Sequence, residues 1–212
     1  ESILEIGCGW GALAERLIDR CSTFVGLTLS KEQLAYATDR IAGSTGATRA
    51  DLRLQDYRDV DGQFDRIASI EMLEAVGERF WPVYFDRLKA RLAPGGLAVL
   101  QVITIAEDRF DAYRANPDFI QRYIFPGGML PTVTHIRDAA SRAGLVIDTH
   151  QPFGESYART LAEWRRRFVA AWDSIRPLGF DERFRRMWEY YLAYCEAGFA
   201  KGTIDVGLYR LR

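Results

Sequence analysis

Strand-length apolar runs alternate with helical patterns through the first two thirds of this sequence. The apolar runs cover residues 2–6, 23–29, 48–54, 64–70 and 97–105. Helical patterns lie between them, at residues 11–21, from Ser30 onwards and at residues 80–92. Ser30 is the expected N-cap of the second helix, in a capping box with Gln33. Strands that alternate with helices in this way form βαβ units around a parallel sheet. The sequence therefore predicts an α/β fold, with helices on both faces of a mostly parallel sheet.

The alternation changes after residue 105. Residues 106–131 are rich in aromatic side chains, and the later helical patterns lie at 134–143, 160–172 and 181–199. Two further strand patterns, at 145–149 and 203–211, bring the expected number of strands to seven. We expect one domain over residues 1–212. Its segments 106–131 and 150–200 are expected to form a helical substrate cap, inserted after strand 5 and before the last strand.

Composition excludes several classes of protein. The 212 residues include 28 basic and 29 acidic side chains, so the chain lacks the basic excess of nucleic-acid-binding domains. Its apolar stretches are far shorter than the roughly 18 residues that span a bilayer. Cys8, Cys21 and Cys195 form no CxxC pair, which argues against a disulfide framework or a metal site and favours the cytoplasm.

A glycine-rich turn lies between the first predicted strand and the first predicted helix. It contains Gly7, Gly9 and Gly11. Glycine lets the backbone turn sharply and approach a ligand at the carboxyl end of a strand. The spacing satisfies both the GxGxG motif of methyltransferases and the looser GxGxxA motif of dinucleotide-binding proteins. A turn with a purely structural role is the third interpretation.

Side chains near this turn favour one ligand over the other. Glu5 puts a carboxylate near the mouth of the turn, where it can hold a cationic amino group, whereas dinucleotide sites avoid negative charge beside a pyrophosphate. Thr28 follows the second strand, where either class of cofactor site usually has an acidic residue for the ribose. Asp56 and Tyr57 follow the third strand, an acceptor for an adenine amino group beside a ring that can stack on it. Taken alone, an Asp-Tyr pair that occurs by chance in a loop is an equally good explanation.

Six ordered blocks of sequence carry a resemblance to one family. They are Glu5-Ile-Gly-Cys-Gly-Trp-Gly11, Val25-Gly-Leu-Thr-Leu-Ser-Lys-Glu-Gln33, Ser69-Ile-Glu-Met-Leu-Glu-Ala-Val-Gly77, Tyr123-Ile-Phe-Pro-Gly-Gly-Met-Leu-Pro131, Tyr157-Ala-Arg-Thr-Leu-Ala-Glu-Trp164 and Tyr190-Tyr-Leu-Ala-Tyr-Cys195. Together they resemble the cyclopropane-fatty-acyl-phospholipid synthase and mycolic acid cyclopropane synthase family. This family consists of S-adenosylmethionine-dependent methyltransferases with a Rossmann-like class I fold that act on unsaturated acyl chains.

The resemblance implies a set of cofactor-binding residues. Gly7, Gly9 and Gly11 would line S-adenosylmethionine, Thr28 and Gln33 would replace the acidic residue at the ribose and the methionine part, and Asp56 and Tyr57 would hold adenine. Family members begin with a helical segment that covers the cofactor. Because this sequence opens on its first strand, at Glu1, we expect that lid to be missing.

The resemblance also implies a catalytic set around a bicarbonate ion. Glu74 and Tyr157 match two of the bicarbonate ligands, Gln101 replaces a histidine on the fifth strand, and Cys195 matches a cysteine of a late helix. Ala75 replaces a second histidine, next to Glu74. Each present residue has a structural alternative: Glu74 as the solvent-facing end of a strand, Tyr157 as a core ring and Cys195 as a small buried side chain.

The expected activity is methyl or methylene transfer from S-adenosylmethionine to the double bond of a phospholipid acyl chain, giving a cyclopropane fatty acid. The alternatives are a methyl- or methylene-branched product, a small-molecule methyltransferase, and an inactive cofactor-binding subunit. An unsaturated acyl lipid is the expected partner, with a homodimer and a reductase as further ones. Peripheral contact with the inner face of the membrane is also expected, through arginines of the late helices. These are Arg165, Arg166, Arg167, Arg183, Arg185 and Arg186.

Overall fold

A computed structural model describes residues 1–212 and contains one seven-stranded sheet. The strands are β1 (Ser2–Ile6), β2 (Thr23–Thr28), β3 (Ala50–Leu54), β4 (Phe64–Ile70), β5 (Leu92–Ile105), β6 (Ile147–Pro152) and β7 (Ile204–Leu211). Their order across the sheet is β3-β2-β1-β4-β5-β7-β6. The pairs from β3 to β5 are all parallel. The predicted α/β fold and its seven strands are confirmed.

Nine α-helices connect or follow these strands. They are α1 (Ala12–Leu17), α2 (Lys31–Ile41), α3 (Leu73–Val76), α4 (Trp81–Arg91), α5 (Phe110–Ala115), α6 (Val133–Arg142), α7 (Gly154–Ala170), α8 (Trp172–Ile175) and α9 (Glu182–Ala200). A short π-helix covers Ile120–Ile124, within the aromatic-rich segment. The expected helix at 160–172 begins earlier, at Gly154, because the Gly154 N–H donates to Asp205 Oδ1 at 2.9 Å. That carboxylate caps the helix from a distant part of the chain.

The chain divides into two compact units. The first contains Glu1–Val102, His135–His150 and Leu208–Arg212, and therefore part or all of every strand of the sheet. The second contains Ile103–Thr134 and Gln151–Gly207. Its apolar cluster brings together α7, α9 and the start of β7. That these segments cover a substrate stays a prediction.

Strand β5 is longer than the sequence pattern predicts. It begins at Leu92, so that Pro94, Gly95 and Gly96 lie inside the strand and do not form a separate turn before it. Leu92 pairs with Phe64, but Leu97 pairs with Arg66, which is an irregular register. At Gly96 a Cβ atom would lie 2.9 Å from the Ala93 carbonyl oxygen, closer than real Cβ atoms approach, and 3.1 Å from the Asp65 carbonyl oxygen of β4. The Pro-Gly-Gly segment is therefore a bulge against β4.

Gly11 lets α1 approach α2 closely. Its φ is +76°, and a Cβ atom added there would lie 2.9 Å from the Ala37 Cβ, on the buried side of α2. Gly9 has a φ of +52°, but nothing lies within 4 Å of the corresponding position. The two glycines share the left-handed backbone and differ in the space around them.

We predict that Gly11→Ala lowers the free energy of unfolding more than Gly9→Ala. Both variants pay about 1–2 kcal/mol for a left-handed alanine. Gly11→Ala adds an overpacking cost of about 1–3 kcal/mol at Ala37. Urea denaturation followed by tryptophan fluorescence measures the difference. Equal losses in the two variants would contradict the packing argument.

Candidate functional site

The glycine turn is held at the carboxyl end of β1 by the neighbouring strand. The N–H groups of Gly7 and Cys8 both donate to the Leu27 carbonyl, at 3.0 and 2.8 Å. Beyond these bonds, the backbone at Gly9 borders open space on the side where a side chain would stand. A ligand can therefore approach the main chain closely at this point.

Glu5 is a buried carboxyl group beneath the turn. It lies in β1 between Gly26 of β2 and Ala68 of β4, and only 3% of the residue is exposed. Its Oε2 atom has no hydrogen-bond partner. Burial raises the pKa of Glu5 to about 7. A buried carboxyl group without a donor is stabilised by a cationic or donating ligand, so this site fits a cofactor with an amino group.

Thr28 and Gln33 are brought together at the end of β2. Thr28 Oγ1 donates to Gln33 Oε1 at 2.8 Å. Ser30 caps α2, as predicted, by accepting the Gln33 N–H at 3.1 Å. The predicted capping box is wrong in its second half, since the Gln33 side chain binds Thr28 and not the Ser30 N–H. The bond places two polar groups beside the glycine turn.

Asp56 and Tyr57 have different surroundings. Both Asp56 oxygens bind the Arg58 guanidinium, which lowers the pKa of Asp56. Tyr57 is only 8% exposed, and its ring meets the Tyr84 ring edge-on, with the centroids 5.5 Å apart. The Asp56 carboxylate is thus already paired and the Tyr57 ring is packed in the core. Their roles at adenine stay predictions.

Gln101, inside β5, is paired with an unpredicted residue, Glu71, which directly follows the end of β4. The Gln101 Nε2 donates to Glu71 Oε1 at 2.7 Å, and the Glu71 N–H donates to the Gln101 carbonyl at 2.8 Å. Glu71 has a φ of +52° and is the one non-glycine residue of the chain with a positive φ. The one feature of the sequence that points to Glu71 is its position directly after β4, a strand that ends beside the glycine turn.

Glu74 lies on α3, near a buried chain of hydroxyl groups. It is half-buried, and one of its carboxylate oxygens is shielded from solvent. Burial raises the pKa of Tyr84, and the charge of Glu74 adds to that shift. Tyr84 donates to Ser69 Oγ at 2.7 Å, and Ser69 donates to the Ile6 carbonyl at 3.2 Å. Tyr84 was not predictable from the sequence, because its place in this hydrogen-bonded chain depends on contacts between distant elements.

Tyr157 and Cys195 lie in the second unit. Both are half-buried, and both pack against one apolar cluster, whose buried members are Ala158, Leu161, Leu192, Phe199 and Val206. The Tyr157 ring meets the Phe199 ring edge-on, with the centroids 5.0 Å apart. The structure thus brings these two residues to the same cluster, and their roles at the reaction centre stay predictions.

Most arginines of the predicted membrane-facing cluster are ion-paired. Arg165 pairs with Glu196, Arg166 and Arg167 pair with Glu163, and Arg185 pairs with Glu182. Hydrogen bonds from Arg166 and Arg167 lower the pKa of Glu163 to about 2. Such pairs reduce the net charge that this face presents to an anionic headgroup. None of the helices combines the length and the apolar character that a membrane-spanning helix needs.

Comparison with known proteins gives consistent matches over the whole chain. A family model described as mycolic acid cyclopropane synthetase matches residues 1–208. The chain is 47% identical over 205 residues to the tuberculostearic acid methyltransferase UfaA1 of Mycobacterium tuberculosis, covering 96% of this chain and 48% of that protein. It is 39% identical over 205 residues to the cyclopropane-fatty-acyl-phospholipid synthase of Escherichia coli K12, covering 96% of this chain and 51% of that protein. The chain thus spans about half the length of these curated relatives.

A solved structure is similar over nearly the whole chain. It is the crystal structure of the mycolic acid cyclopropane synthase CmaA1 complexed with SAH and CTAB, with a TM-score of 0.91 and 29% sequence identity. The match covers 99% of this chain and 77% of that one. The likeness extends the agreement from sequence to the arrangement of strands and helices.

We predict that Glu5 makes the free energy of unfolding fall as pH rises from about 4.5 to 7. The folded-state pKa of about 7 lies above the ordinary value of 4.5, so the folded protein holds the proton more tightly in this window. The tighter proton binding contributes about 3 kcal/mol to the free energy of unfolding at low pH. This contribution is lost as pH rises to 7, and the free energy then stays constant with respect to Glu5. Glu5→Gln is expected to remove this contribution. Urea denaturation of both proteins between pH 4.5 and 8 measures it, and parallel pH curves would contradict the prediction.

Proposed function

The chain belongs to the mycolic acid cyclopropane synthetase family, and on this premise we propose that it transfers the methyl carbon of S-adenosylmethionine to the double bond of an unsaturated fatty acyl chain. The observation that carries the proposal is the glycine turn above the buried, unpartnered Glu5 carboxyl oxygen. The family match and the likeness to a cyclopropane synthase solved with SAH support this cofactor. The fold is that of a class I methyltransferase.

The residues of the first unit fit this cofactor. Glu5 would hold the amino group directly or through a neighbour, the open backbone at Gly9 would admit close approach, and the Thr28–Gln33 pair would bind hydroxyl or carboxylate groups. When bound, S-adenosylmethionine would supply an electrophilic sulfonium methyl group, and transfer of that group to the alkene would release S-adenosylhomocysteine and leave a cation on the acyl chain. Gly11 is accounted for by packing against Ala37, and its contact with the cofactor is part of the proposal.

The product proposed first is a cyclopropane fatty acid on a phospholipid. The matched family is described as a mycolic acid cyclopropane synthetase and the E. coli relative as a cyclopropane-fatty-acyl-phospholipid synthase, and both descriptions support this product. Glu74, Tyr157, Gln101 and Cys195 are the proposed catalytic set, with bicarbonate as their ion. Gln101 supplies an amide donor where the family resemblance implies a histidine, and an amide cannot shuttle a proton.

A methyl- or methylene-branched acyl chain is the second candidate product. It is favoured by the 47% identity to a relative named as a tuberculostearic acid methyltransferase and by the replacement of the histidine by Gln101. A methylene branch would need a reductase partner to become a methyl branch. The other proposed partners are a membrane surface and a second copy of this chain, with which it would form a homodimer.

We predict that binding of S-adenosylmethionine releases a proton from Glu5 near pH 6.5. Burial raises the pKa of this carboxyl group to about 7, so much of it is protonated before binding, and a cationic amino group stabilises the charged form. Affinity is therefore expected to rise with pH up to about 7 and to level off above it. Calorimetry in buffers of different ionisation enthalpy counts the protons. Glu5→Gln is the control, and equal proton release from the variant would contradict the assignment.

Incubation with phospholipid vesicles tests the activity itself. With S-adenosylmethionine labelled in the methyl carbon, we expect label in the acyl chains of vesicles made of unsaturated phospholipid. Saturated phospholipid of the same headgroup is the matched control, because it lacks the alkene. Ozonolysis then distinguishes the products, since it cleaves a methylene branch and leaves a cyclopropane intact. Cofactor binding without acyl labelling would contradict the proposal and favour a small-molecule methyltransferase or an inactive subunit.

A further inference from the structure

Glu71 is held in a backbone conformation that glutamate rarely adopts. Its φ of +52° lies in the left-handed region, which glycine, asparagine and aspartate enter more readily than other residues. Strained positions of this kind persist only where surrounding contacts enforce them, and they cluster at functional sites. The outlier is therefore a reason to ask what the Glu71 carboxylate does.

The strand register places Glu71 at the same edge of the sheet as the glycine turn. Ile6 pairs with Ser69, and Ile70 pairs with Gln101, so the carboxyl ends of β1 and β4 lie side by side, next to Gln101 of β5. The next residue along the chain, Met72, has its sulfur 3.5 Å from the position of a Cβ atom at Gly7. The segment that carries Glu71 therefore packs directly against the proposed cofactor site.

Gln101 orients the Glu71 carboxylate without competing for a proton. Its Nε2 donates to Oε1 of Glu71 at 2.7 Å, while the main chains of the two residues are joined by a 2.8 Å hydrogen bond. Amides donate hydrogen bonds but do not accept protons at ordinary pH, whereas a carboxylate does. The pair thus combines a fixed base with a neutral orienting group.

We propose that Glu71, and not the bicarbonate ion proposed for the catalytic set, is the proton acceptor of the lipid methylation, an inference that rests on the proposed function. The methylated acyl chain carries a carbocation. A Glu71 carboxylate oxygen takes a proton from the newly added methyl carbon, and the electron pair of that C–H bond forms the carbon–carbon bond that closes the three-membered ring. Glu71 becomes a neutral carboxylic acid and passes the proton to water.

The first test compares Glu71→Gln with Glu155→Gln, an exposed carboxylate paired with Arg159 on α7. We expect Glu71→Gln to keep the melting temperature and the calorimetric affinity for S-adenosylhomocysteine of the unchanged protein. Turnover of unsaturated phospholipid vesicles should fall by about 100-fold, typical of the loss of a general base. Glu155→Gln should behave as the unchanged protein in all three measurements.

Undiminished turnover by Glu71→Gln would overturn the inference and leave the proposed function intact. A lower melting temperature with proportionate loss of turnover would also overturn it, because Glu71 would then be structural. No turnover by the unchanged protein would overturn the proposed function, and this inference with it.

Glu71→Gly provides a second test that does not depend on the glutamine variant. Glycine adopts a φ of +52° without strain, so this variant is expected to fold, with its melting temperature as the check. We expect added formate, a small carboxylate base, to restore turnover to Glu71→Gly at least 10-fold, a fraction of the roughly 100- to 10,000-fold that a positioned general base contributes. Formate should not restore turnover to Glu5→Gln. Failure of formate to restore turnover in the folded glycine variant would overturn the inference.

Discussion

The carbonyl of Leu27 holds the glycine turn in place, and the candidate site depends on that turn. It accepts hydrogen bonds from two successive N–H groups, those of Gly7 and Cys8, where the chain leaves β1. Left-handed glycines lose much conformational freedom on folding, and the two bonds help to offset that cost. Since β1 lies between β2 and β4, the same turn borders Thr28 on one side and the Glu71 segment on the other.

Elements with strong local signals were predictable from the sequence. β1 and β4 have the predicted bounds, and Ser30 caps α2. The start of α7 was not predictable, because the group that binds its first N–H belongs to Asp205, 51 residues away. The same holds for the early start of β5, where the Pro-Gly-Gly segment has the composition of a turn but lies along β4.

For the candidate site, the sequence predicted side-chain types better than their surroundings. The pairing of Thr28 with Gln33 follows from their spacing around a helix cap. The sequence predicts Tyr57 as a ring able to stack on a ligand, yet Tyr57 is buried against Tyr84, a contact between distant residues. Glu71 was not predictable as a strained residue, because its φ depends on the turn that follows β4, and no pattern of residue types indicates that angle.

The bulge in β5 decides which side chain faces Glu71. Between the pairs Phe64–Leu92 and Arg66–Leu97, β5 uses three more residues than β4. An odd number of extra residues exchanges the two faces of a strand from that point onwards. In an unbulged strand with the same later residues, Gln101 would project from the opposite face. The bulge thus determines, several residues upstream, that Gln101 faces the Glu71 carboxylate. An insertion or deletion of a single residue in the Pro94–Gly96 segment would turn Gln101 to the other face of β5 and separate the base from the amide that orients it.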